Sequence, residues 1–165
     1  MQLNSLMSGR KAQIASIDLF VALTIWAVLL LLIVLSWNLN NNDIIERLEF
    51  DSMASRAFQI SDTLIKDRGF PSNWNSGNVS IIGFAAEDRI LSQEKVSAFT
   101  NLSYNASREI FKAYGENFYF ALRNLTGENI TSSGMQPAGS RRAVSVMRYV
   151  LYNNETAVME FTLWK

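Results

Sequence analysis

The chain has neither cysteine nor histidine among its 165 residues, and these two gaps remove much of the chemistry open to a protein of this size. Without cysteine there is no disulfide framework, thiolate nucleophile, iron–sulfur cluster or thiolate-bound zinc. Without histidine there is no Ser-His-Asp triad, no imidazole base and no imidazole metal site. An excess of charge of one sign is missing too, because 15 Lys and Arg balance 15 Asp and Glu. A nucleic-acid binder ordinarily carries a basic face, since neutralised phosphates supply most of its affinity, so no nucleic-acid partner is expected. Glycine-rich phosphate loops, acidic calcium loops and metal-spaced clusters are likewise absent, and no cofactor or metal is expected. Internal repeats, heptads and low-complexity blocks do not occur. Carboxylate, lysine, tyrosine and hydroxyl chemistry remain open.

What the chain has is an apolar run. Residues 19–37 read LFVALTIWAVLLLLIVLSW, without a charge and with Thr24 and Ser36 as the hydroxyls. At about 1.5 Å per residue this run covers roughly 28 Å, close to the ~30 Å hydrocarbon thickness of a bilayer. Its Leu, Ile, Val and Phe residues together favour insertion by roughly 4 to 8 kcal/mol, more than Asp18 at the edge opposes. A cleaved secretory signal is the competing reading. Its apolar region is shorter, about 7 to 15 residues, and ends in a small-x-small site, whereas this run exits through Ser36-Trp37-Asn38-Leu39-Asn40. The span is therefore expected to be a retained single-pass anchor in the lipid bilayer of the cell membrane. Arg10 and Lys11 precede it, and Asp43, Glu46, Arg47, Glu49 and Asp51 follow. The positive-inside rule then places the N-terminus in the cytoplasm and the rest outside.

Glycosylation sequons support that orientation. Asn78, Asn101, Asn105, Asn124, Asn129 and Asn154 each begin an Asn-x-Ser/Thr triplet without proline. Composition alone would give about one or two such triplets after residue 73, so their number favours a glycosylated surface protein.

The expected organisation is a basic leader at 1–13, an N-terminal helix at 14–68 and an extracellular α+β head domain at 69–165. Within the helix, the membrane span at 19–37 is followed by a polar joint at 38–42 and an amphipathic part at 43–67. Ile44, Ile45, Leu48, Met53, Ala57, Phe58, Leu64 and Ile65 recur there at helical spacing. Gly69-Phe70-Pro71 supplies a C-cap residue and a breaker. Beyond it the sequence predicts a loop at 71–78, a short strand at 79–84 and a helix from about Ser92 to Tyr114 capped by Gly115. Strands are predicted at 117–125, 143–152 and 156–164, with a long connection at 126–142. Asn153-Asn154 predicts a tight hairpin, because asparagine tolerates positive φ. The fold class is α+β: a long N-terminal helix plus a small antiparallel β-sheet of about four strands, one face covered by the amphipathic helix.

Just before the span stands Arg10-Lys11-Ala12-Gln13-Ile14-Ala15-Ser16-Ile17-Asp18. This segment resembles the class III signal peptide of archaeal type IV pilin-like proteins: a basic leader, a small residue, a Gln, then Ser-x-acid before an unbroken apolar helix. The resemblance implies a prepilin peptidase cutting near Ala12, Gln13 and Ile14, and other pilin-like subunits packing against the retained helix in a filament. Two departures stand out. Two residues separate Gln13 from Ser16 where the family has one, and the acid is Asp18 where the family has Glu. Cutting after Ala12 keeps the small residue and the Gln in place; cutting after Gln13 makes Ser16 and Asp18 the third and fifth residues. Both remain open, as does an uncut chain. A carboxylate at the hydrocarbon edge is costly unless protonated or paired. In the family the acid is thought to meet the amine of a neighbouring subunit and set helix register, and the resemblance gives Asp18 that role. The plainer alternative is a helix-start acid at the headgroup level beside Ser16.

Other candidates have bland readings that outweigh the functional ones. Glu87-Asp88 reads as a solvated turn before it reads as a carboxylate site. Arg141-Arg142 keeps a strand entry soluble. Trp74, Trp164 and Phe118-Tyr119-Phe120 fit a core better than a carbohydrate platform. No enzyme activity is expected. The leading expectation is a membrane-anchored pilin-like subunit at the cell surface, a main or minor one. The alternative is a single-span receptor or adhesive module whose outer domain binds a ligand while the chain stays in the membrane. A signalling receptor is disfavoured because at most about eighteen residues would be cytoplasmic.

Overall fold

The structure is a computed structural model that describes the backbone of residues 3–139 and 142–165, with side chains described for 18–38, 44–139 and 142–165. Two compact units divide the chain, one ending at Leu48 and the other comprising Glu49–Lys165. The chain is α+β. Helix α1 (Leu3–Lys66) contributes its earlier part to the first unit and residues 49–66 to the second.

In the second unit α1 buries Met53, Ala57, Ser61, Leu64 and Ile65. Steps of four, four, three and one put these residues on one stripe, as the sequence periodicity predicts. The helix ends where the breaker stands. Asp67 Oδ1 accepts a bond from the Gly69 amide at 2.8 Å. Gly69 takes φ +77°, a left-handed conformation in which a β-carbon would lie 2.6 Å from the Ile81 carbonyl oxygen.

Six strands follow: β1 (Ala85–Glu87), β2 (Ile90–Leu91), β3 (Asn117–Asn124), β4 (Asn129–Gly134), β5 (Ala143–Tyr152) and β6 (Glu155–Trp164). They form one sheet in the order β1-β2-β5-β6-β3-β4. Antiparallel pairing joins β5 to β6 and β6 to β3, as expected for the three long strand-like runs. The hairpin turn at Asn153 and Asn154 has φ 53° and 66°, the left-handed pair a two-residue turn requires.

Four expectations need correction. The sheet is mixed, because β2 runs parallel to β5. The expected strand at 79–84 is not one: Ile81 forms a lone bridge with Phe70. Its backbone instead packs on the end of α1, where Phe84 N donates to Leu64 O at 2.8 Å and a β-carbon at Gly83 would sit 2.4 Å from Asp67 O. The strand starts one residue later, at Ala85. The expected helix at 92–114 is two helices, α2 (Gln93–Thr100) and α3 (Tyr104–Ile110). Ser103 causes the break, its Oγ capping α3 by accepting from Ala106 N at 3.3 Å. Finally, the long connection at 126–142 contains β4, paired with β3.

The core lies between the sheet and the three helical segments. Phe84, Phe99, Phe118, Phe120 and Phe161 are fully buried and meet at centroid distances of 5.2 to 6.3 Å, mostly tilted or edge-on. Breaking the helix at residues 101–103 lets Phe99 of α2 and Phe111 after α3 both reach Phe118.

Candidate membrane span and surface sites

Among the described residues, one helical stretch is long and apolar enough to cross a membrane, Asp18–Asn38 in the first unit. At about 1.5 Å per residue its 21 residues measure roughly 31 Å. None of this stretch is buried within the protein. Leucine, valine and isoleucine side chains all round it are exposed, Phe20 by 72%, so the run is not the core helix of a globular domain. Thr24 directs its hydroxyl to Phe20 O at 2.8 Å, which satisfies that donor inside the helix. Asp18 stands exposed at the start of the stretch. Ala12, Gln13 and Ile14 lie outside the residues whose side chains are described.

The six sequon asparagines all belong to the second unit. Asn78, Asn101, Asn105, Asn129 and Asn154 are exposed, and Asn124 is half-buried. Their local chemistry differs. Asn124 is the most engaged: its Oδ1 accepts from Glu128 N at 2.8 Å and Thr126 Oγ1 at 2.6 Å, and its Nδ2 donates to Glu128 Oε2 at 2.8 Å. Asn78 Oδ1 accepts from Asn75 N at 2.7 Å, and Asn129 Nδ2 donates to Ser132 Oγ at 3.2 Å. Ser103, the hydroxyl of the Asn101 triplet, is the α3 cap.

Ion pairs join α1 to the rest of the second unit. Arg56 bonds Glu116, whose side chain is 1% exposed. The Nε of Arg56 and the other carboxylate oxygen of Glu116 are buried without partners among the described residues. Arg108 Nε reinforces the site by donating to Glu116 O at 2.8 Å and Ala113 O at 3.2 Å. Asp62 accepts from Lys66 at 2.8 Å and Arg148 at 3.1 Å. The Lys66 hydrogen bond above all, helped by Arg148, holds the Asp62 carboxyl below its ordinary pKa against the opposing effect of partial burial. Glu49 pairs with Arg142 at 3.0 Å and Lys165 at 3.7 Å. Lys95 donates to Arg68 O, and burial, more than nearby Arg68, lowers its pKa.

The aromatic candidates resolve as core. Trp74 is buried, with Nε1 donating to Gly83 O at 3.0 Å, and Phe118, Tyr119 and Phe120 are buried in β3. Trp164 is half-buried and donates to Met135 O at 2.9 Å. Glu87 ends β1, and Asp88 begins the exposed turn into β2. Arg142 is tied to Glu49, while Arg141 lies outside the described residues.

Sequence reasoning missed a pocket of about 270 Å³ where the C-terminal turn of α1 meets the middle of β5. Lys66, Arg89 and Arg148 line it with Asp62. These residues are far apart in sequence and share no motif, so only the fold brings them together. Comparison with family models, curated proteins and solved structures found no match.

Proposed function

We propose that the chain is a pilin-like subunit, anchored by its apolar helix in the cell membrane with its head outside and processed by a prepilin peptidase. The observation that carries this reading is the position of one exposed apolar stretch, Asp18–Asn38, directly after the Arg10–Asp18 segment that resembles a class III signal. The self-contained α+β unit with its sequon asparagines supports an exported head. Removal of Met1 through Ala12 or Gln13 creates a new α-amino group one turn before Asp18. The freed helix then leaves the bilayer sideways into a bundle of like helices. Lipid contacts are exchanged for helix packing with little net hydrophobic gain, so polar contacts such as an amine paired with the Asp18 carboxylate decide the register. The chain itself performs no covalent chemistry.

Intact-mass measurement and N-terminal sequencing of the protein from its native membrane test the reading. Loss of the first twelve or thirteen residues is expected, together with unimpaired insertion but reduced assembly of Asp18→Ala. A full-length mature chain that stays in the membrane would overturn pilin-type processing in favour of a single-span receptor or adhesive module. Assembly of Asp18→Ala at wild-type levels would remove that carboxylate from the mechanism.

A further inference from the structure

Strand β5 is open along most of one side. The two-residue turn makes Tyr152 and Glu155 a hydrogen-bonded pair, so Val150, Arg148, Val146 and Val144 exchange their backbone bonds with β6. The N–H and C=O groups of Leu151, Tyr149, Met147 and Ser145 point the other way. On that side β2 pairs only with Leu151 and Tyr152, and Leu151 N donates to Arg89 O at 2.8 Å. Ser145, Met147 and Tyr149 face no strand there among the described residues. Sheet edges are normally blunted by charge, proline, bulges or short length. This one has no proline and no bulge, its register with β6 runs unbroken from Ala143 to Tyr152, and the one charge on the strand itself is Arg148. Met147 and Tyr149 are 62% and 72% exposed. The opposite edge, β4, is blunted: it is short and polar, its partner ladder shifts register at Leu122/Arg123, and it ends at Gly134.

The open stretch coincides with the cationic pocket. Lys66, Arg89 and Arg148 converge on it against the single carboxylate Asp62, which Lys66 and Arg148 already share. Arg89 is left over: its guanidinium makes no hydrogen bond or ion pair among the described residues. Its backbone sits at φ 60°, a conformation that glycine or asparagine would hold with less strain.

From these features we infer that the β5 edge at Ser145–Tyr149 binds an extended acidic peptide segment by strand addition. The backbone edge selects polypeptide, because only an extended main chain presents N–H and C=O groups at the matching spacing. The cations select acidic residues at alternate positions, the period at which side chains share one face of a strand. A free anion or an acidic sugar satisfies the charges but leaves the edge unpaired. This inference concerns the head alone and does not depend on membrane anchoring or on filament formation.

The test uses the full chain in a non-ionic detergent and three fluorescein-labelled peptides: alternating Glu-Val-Glu-Val-Glu, its Lys-Val-Lys-Val-Lys counterpart, and Glu-Pro-Glu-Pro-Glu, which has fewer strand donors. Fluorescence anisotropy should show the first binding at least tenfold more tightly than either of the others. Amide exchange at Met147 and Tyr149 should slow when it is bound. Arg89→Gly removes the guanidinium while relieving the backbone, so misfolding does not explain a loss; it and Lys66→Gln should each weaken binding severalfold. Equal binding of the proline peptide would mean that only anions are recognised and would overturn the inference. So would equal binding of the lysine peptide, or no binding of the first peptide at millimolar concentration.

Discussion

Glu116 and Arg56 illustrate how a single pair of side chains can tie a helix to a sheet domain at high stakes. The carboxylate is out of water, one of its oxygens is bonded to Arg56 and the other has no partner among the described residues. Burying such a charge is expensive, and removing one partner exposes that expense in full, typically about 3–5 kcal/mol. Arg56→Met, which strands the buried carboxylate, should therefore destabilise Glu49–Lys165 by about that amount, and Glu116→Leu by less, because the Arg56 side chain is 35% exposed and can turn to water. The double variant should lose clearly less than the sum of the two singles, because no uncompensated charge remains. A double-mutant cycle by urea denaturation measures the coupling; strict additivity would show that the pair contributes nothing beyond its separate parts. Neither residue was conspicuous in the sequence. Arg56 lies on the polar side of a helical pattern and Glu116 follows a capping glycine, so their meeting depends on a contact across 60 positions.

Among the elements, the long strands were readable because β-branched and aromatic residues cluster in three runs and paired asparagines separate the last two. The stop of α1 was readable from Gly69-Phe70-Pro71. The short elements were not. β1 and β2 are held less by their own propensity than by the end of α1, through bonds such as Arg89 N to Ile65 O and Ala85 N to Asp67 O. The apolar spacing at 96–111 suggested one helix, and it concealed a break whose only local sign was Ser103. β4 was hidden by its Ser, Asn and Gly content, which resembles a loop; its place is fixed by the approach of Gly134 to β3. There φ is +95° and a β-carbon would lie 2.4 Å from Phe118 O. Gly134→Ala should therefore destabilise the second unit by more than ~1 kcal/mol, through both backbone strain and the clash. Thermal unfolding of the variant checks this, and an unchanged midpoint would mean that the strand end can shift at no cost.

For the whole chain, the composition separated an apolar stretch from a mixed remainder, and the helical spacing of apolar residues after the polar joint set the second part of the long helix apart from the first as the part that covers the sheet. Residues 49–66 are helical like the span, yet their buried stripe belongs to the core of the head. A fragment Glu49–Lys165 should consequently be soluble and unfold cooperatively, whereas one beginning at Gly69 should be unfolded, having lost Met53, Ala57, Leu64 and Ile65 from the core. Circular dichroism and denaturant titration of both fragments decide the matter; a folded shorter fragment would show that the helix is dispensable to the head.

The bonds around Asn124 and Ser103 bear on the order of events during biogenesis. Once the head has taken its native form, the amide nitrogen of Asn124 is committed to Glu128, the Thr126 hydroxyl is turned back onto that same side chain, and the Ser103 hydroxyl closes the first turn of a helix. An oligosaccharide-transferring enzyme needs such groups free and the triplet extended. Any sugar carried at Asn101 or Asn124 is therefore attached while the chain is still emerging or loose, and folding itself sets the deadline.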